Sequence, residues 1–140
     1  MNELREWARG MYALEAAAEL LIRTSEAQGR SVPGARRTDD GRLWLDPEAV
    51  LDDTAAGSGG EQRIAAIAAS LLGGPPVDLS EVLPGLDRDQ LALVLAAVAH
   101  AGGSHQHTDP PRVTMQEDGT PLVTRGSGEL LGSLHPWPAC

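Results

Sequence analysis

Three histidines stand close together near the end of the chain, His100, His105 and His107, with Asp109 two residues further on. Imidazoles and a carboxylate are the donors that hold zinc or nickel, so this is the stretch where metal chemistry would sit. The spacing, four residues and then one, matches none of the defined zinc-ligand patterns. His100 falls at the end of an apolar helical stretch, where the helix dipole favours a cation, and His105 and His107 follow in a Gly- and Ser-containing exit where a solvated histidine is ordinary. The cluster therefore supports a metal-binding sensor or enzyme as an alternative reading rather than the first one.

The other chemistry-bearing residues carry less. Ser58-Gly59-Gly60-Glu61, with Pro75-Pro76-Val77 and Gly85-Leu86-Asp87 downstream, resembles the signature helix of transporter ATPases, yet phosphate binding there needs a lysine-bearing loop and this chain has no Lys. A capped helix start explains the same residues. Gly126-Ser127-Gly128 is too short for a nucleophile elbow. Cys140 is the only cysteine and the last residue, with no scaffold around it to lower its pKa, so it is not read as catalytic. No catalytic residue and no cofactor is expected. His135-Pro136-Trp137-Pro138 differs in kind: a proline-flanked tryptophan is a stiff segment with one large apolar anchor. Trp137 is accordingly the candidate partner-binding residue, against the blander reading that it folds back on its own body.

The composition sets limits on partners. The net charge is -9, and the eleven basic residues are all Arg, with Arg36-Arg37 the only basic pair, which argues against nucleic acid as a partner. No apolar run approaches a membrane span, and Met1 to Gly10 is charged where a signal peptide would be apolar, so a cytoplasmic protein without a membrane partner is expected. With Phe absent, the core must be built from Ala, Leu, Val and Ile.

The elements that would position these residues follow from periodicity. Leu4, Trp7, Met11, Leu14, Ala18 and Leu21 fall on one helical stripe, which predicts a single helix capped by Asn2 and fraying near Gly29, with Glu15, Glu19 and Arg23 on its outer side. Residues 29 to 41 read as a loop, followed by a short extended piece at Arg42 to Leu45. Asp46-Pro47-Glu48 opens a short helix, Ser58 to Glu61 opens a long one that stops at Gly73-Gly74, and Asp78 to Glu81 opens one or two turns. Asp87 to Gln90 then opens the most apolar helix, with Leu91, Val94, Leu95 and Val98 expected inward and Gly102-Gly103 as its stop. Beyond residue 103, Arg112 to Gln116 and Pro121 to Arg125 flank a turn containing Asp118-Gly119, which predicts a hairpin. The fold expected is a mainly α bundle of three main and two short helices over residues 1–103, extended by a β-hairpin and loose tail over 104–140.

The ordered series Glu15 to Arg23, Trp44-Leu45-Asp46, Ser58 to Glu61, Ile67 to Leu71, Gly85-Leu86-Asp87 and Leu93 to Gly102 is similar to a set of uncharacterised small actinobacterial proteins, over roughly residues 5 to 107. That resemblance implies a cytoplasmic bacterial protein and implies no activity. The first functional reading is a non-enzymatic interaction module of the adaptor or inhibitor type, whose partner is another protein or a second copy. The His100/His105/His107 metal reading stands second and a DNA-binding regulator third.

Overall fold

The computed structural model describes residues 2–139, and Met1 and Cys140 lie outside the described residues, the expectation for Cys140 with them. The chain is mainly helical: α1 (Asn2–Ala8), α2 (Tyr12–Gln28), β1 (Ala35–Arg37), β2 (Leu43–Leu45), α3 (Pro47–Thr54), α4 (Gly59–Leu71), α5 (Leu79–Val82), α6 (Arg88–Ala101), β3 (Arg112–Met115) and β4 (Pro121–Thr124). Short 3-10 turns follow α5 at Leu83–Gly85 and α6 at Ser104–Gln106. No helix among the described residues is long and apolar enough to cross a membrane.

The expected first helix is two helices. Gly10 takes a φ of 89°, in the left-handed region that a residue without Cβ enters at no steric cost, and Met11 becomes the extended residue before α2. Met11, read as part of the buried stripe, is 62% exposed. Asn2, read as the cap, is already helical. The break lets α1 double back: Arg5 Nε donates to Glu19 at 2.9 Å, whereas residues fourteen apart on one straight helix would be separated by about 21 Å. Leu4 and Ala8 are thereby buried in the common core with Leu20, Leu21 and Ile22 of α2.

The stretch 29–41 is also more than a loop. Ala35–Arg37 pairs antiparallel with Leu43–Leu45, Arg36 opposite Trp44, around a turn closed at Gly41. The later helices start as their caps dictate. Asp46 accepts from the Glu48 N–H, Ser58 from the Glu61 N–H and Asp78 from the Ser80 N–H. Asp87 and Gln90 form a complete reciprocal box, whereas Glu61 turns its carboxylate to Arg30 instead of back to Ser58.

The core lies between α2, α4 and α6, and α6 meets it on a different face from the one expected. Val94, Ala96 and Ala97 are buried and Leu93 and Ala101 pack at the margin, while Leu95 is 43% exposed and Leu91 and Val98 are also exposed. α2 and α6 pack extensively on each other, and both bury small residues, Ala16, Ala17 and Ala18 on α2 and Ala96 and Ala97 on α6, so side chains of little volume take inward places on α6 beside Val94. Leu91 and Leu95 lie on the outward side.

The β3–β4 hairpin forms as expected, Val113 opposite Val123 and Met115 opposite Pro121, but every residue of both strands is exposed. It projects as an arm. The segment after it returns to the body: the Leu131 N–H donates to the His107 carbonyl at 2.9 Å and the Leu134 N–H to Ser104 Oγ at 2.7 Å. Arg23 Nη1 then donates to the Pro138 carbonyl at 2.7 Å.

Leu20→Ala, at a site with no exposure, should lower unfolding free energy by about 2–5 kcal/mol, and Leu95→Ala by less than about 1 kcal/mol. Asp87→Ala should cost about 0.5–2 kcal/mol through loss of the cap. Denaturant melts of the three variants check the face assigned to α6, and equal losses at Leu20 and Leu95 would reject it.

Candidate functional site

The close seam between α2 and α6 determines where polar side chains meet. Glu15, one turn into α2, comes against His100 in the last turn of α6, and His100 Nε2 and Glu15 Oε1 are 2.9 Å apart. The Gly10 N–H, made available by the break before α2, donates to Glu15 Oε2 at 3.1 Å. One carboxylate oxygen is thus held by backbone and the other faces the imidazole.

His105 arrives from the turn after α6. Gly103 has a φ of 75°, and a Cβ built there would lie 3.1 Å from the Tyr12 ring, so a residue without a side chain is needed to swing the chain back under Tyr12. The His105 ring then stacks on His100, centroids 4.0 Å apart and planes 9° from parallel, with Tyr12 edge-on to His105 at 5.0 Å. Its Nδ1 is buried and has no hydrogen-bond partner among the described residues.

Electrostatics follow from these contacts. Burial lowers the His105 pKa and the neighbouring His100 lowers it further, with Glu15 opposing, so neutral imidazole is favoured. For Glu15, burial pushes the carboxyl up, but the His100 hydrogen bond, the Gly10 N–H and the charges of His100 and His105 together bring it below its ordinary 4.5. Glu19, one turn on, is likewise pushed up by burial and brought below 4.5 by Arg5 and Arg23, which donate to it at 2.9 and 2.7 Å.

These groups line one pocket of about 680 Å³, with Arg5, Arg9, Gln106 and Trp137 completing its wall. The lining offers carboxylates, imidazoles, guanidinium groups and a phenol, and no hydroxyl or thiol of Ser, Thr or Cys. Carboxylates and imidazoles so placed can exchange protons and coordinate a metal ion.

Of the residues singled out from the sequence, His100 and His105 are brought together, and His107 is not. It lines a separate groove with Val98, Leu131 and Leu134. Trp137 lies half-buried against the body, the Arg23 guanidinium carbon 5.3 Å from its ring centroid. Glu15 is the member that sequence reasoning missed. It was placed with Glu19 and Arg23 on an outer face, and the Glu19–Arg23 pair does form, but that face is where α1, α6 and the tail converge. The only sequence signal was three acids and bases at helical spacing, which reads equally as a solvated edge.

No family model, curated protein or solved structure matches the chain.

Glu19 supplies a pH test. Its carboxyl is lowered in the folded state, so the stabilisation it gives is complete above the unfolded value of 4.5 and is lost as pH falls through the lower folded value. The wild-type melting temperature should fall in acid below pH 4.5, and Glu19→Gln should have a lower melting temperature at pH 7 and a shallower acid limb. Parallel curves for the two proteins from pH 7 to pH 3 would contradict this assignment.

Proposed function

We propose that the chain acts as a non-enzymatic interaction module of a bacterial cytoplasm, working through contact with another protein or a second copy of itself. The observation that supports this reading is the apolar surface left uncovered on α6. Leu91, Leu95 and Val98 recur at helical spacing on its outer face, with Val98 56% exposed, and the groove beside Val98 is walled by Leu131 and Leu134. A stripe of this kind is what a helix or extended peptide of a partner covers.

The arm adds a second apolar surface of the same character. By the alternation of a β-ladder, Val113, Met115, Pro121 and Val123 share one face, and all four are exposed. A lone hairpin is marginal in water, so a partner that covers this face would also stabilise it. The charge of -9 favours a partner with basic residues around its apolar contact and weighs against DNA.

Leu95→Glu and Val98→Glu place charge on the α6 stripe without touching the core. Both variants should keep the wild-type melting temperature within a few degrees. Both should lose whatever complex the wild-type chain forms, whether with itself in sedimentation velocity or with a different protein in cross-linking inside the source cell. A complex that survives both substitutions would rule out this face.

A further inference from the structure

We propose that Glu15, His100 and His105 form a binding site for a single zinc-class divalent cation, a site that does not depend on the apolar surface of α6. One donor atom from each of the three residues lies within 4.8 Å of the others, and the pair Glu15–His100 is already at 2.9 Å. Around a tetrahedral ion with bonds of about 2.0–2.1 Å the donors stand about 3.4 Å apart, so the set closes with a shift of at most about 1.4 Å together with a rotation of the His105 ring out of its stack on His100, since parallel rings cannot both aim a lone pair at one ion. His105 is placed to make that movement. It sits on a short 3-10 turn rather than within a long helix, and its buried Nδ1 has no hydrogen bond to lose.

The donor set selects the ion. Two imidazoles and one carboxylate suit Zn²⁺, Co²⁺ or Ni²⁺, whereas Mg²⁺ and Ca²⁺ require more oxygen ligands and Cu⁺ prefers sulfur. The backbone hydrogen bond from Gly10 to Glu15 Oε2 fixes the carboxylate and leaves Oε1 toward His100, the kind of outer hold that orients metal ligands. The guanidinium groups that share the pocket are already matched by acids: Arg5 with Glu19, and Arg9 with Glu6. Three protein ligands leave one tetrahedral position for water or an incoming donor, with space in the pocket they line.

The ligand set differs from the one suggested by spacing, because His107 faces another groove and Glu15 takes its place. That difference gives the experiment its control. The full chain is titrated with Co²⁺, whose visible absorption reports its coordination, and Zn²⁺ is used as competitor and in melting experiments. The expected result is saturation at one equivalent, displacement by Zn²⁺ and a melting temperature raised by several degrees. Glu15→Gln and His105→Ala should each weaken binding by at least about tenfold, and His107→Ala should leave it unchanged. His105→Ala removes a side chain whose buried Nδ1 has no hydrogen-bond partner among the described residues, so it remains informative if Glu15→Gln unfolds the chain. Absence of a saturable cobalt spectrum, a spectrum that persists in His105→Ala, or one abolished by His107→Ala would overturn the proposal. None of these outcomes bears on the α6 stripe.

Discussion

The close approach of α2 and α6 is the constraint on which the remaining features rest. Both helices bury alanines, Ala16, Ala17 and Ala18 on one and Ala96 and Ala97 on the other, all with almost no exposure. Small residues let two backbones come near enough for short polar side chains at the edges of the seam to touch, and Glu15 and His100 do so. On the same helix Leu91 and Leu95 lie outward. The packed pair therefore carries a polar pocket at one edge and an apolar stripe on the outer face.

A second layer of order is added by residues that tie distant segments to α2. Glu19 receives Arg5 from α1 and Arg23 from its own helix, and Arg23 continues to the Pro138 carbonyl and the Trp137 ring. Each contact is partly exposed, and isolated pairs of this type contribute little, but a network that closes three segments on one another has less entropy to overcome per bond. The C-terminal segment is held by these contacts and by Ser104, although every residue of the two strands in the arm is exposed.

Much of the helical layout was legible because caps are local. Asp46, Ser58, Asp78 and Asp87 each satisfy N–H groups within three residues, so the side chain that starts the helix is visible beside the helix it starts. The β3–β4 hairpin was legible for the same reason, through its Asp-Gly turn. What misled was everything decided by a partner surface. The stripe through Met11 looks continuous until the φ of Gly10 is known, and the strand at Ala35 has no apolar alternation to announce it. Leu95 is more hydrophobic than Ala97, yet Ala97 is inside because of what α2 places opposite. The site divides along the same line: His100 and His105 could be read from the helix end and its Gly-Gly stop, while Glu15 enters through an α2–α6 contact that joins residues 85 apart.

The central claim is that this seam brings Glu15 and His100 into direct contact, and a double-mutant cycle measures that contact most directly. Unfolding free energies of the wild type, Glu15→Gln, His100→Gln and the double variant in metal-free buffer near pH 6 give the coupling between the two side chains. The account predicts a favourable coupling above about 0.5 kcal/mol, because both groups are about three-quarters shielded from solvent and 2.9 Å apart. Strictly additive losses would show that the two helices do not hold these residues together.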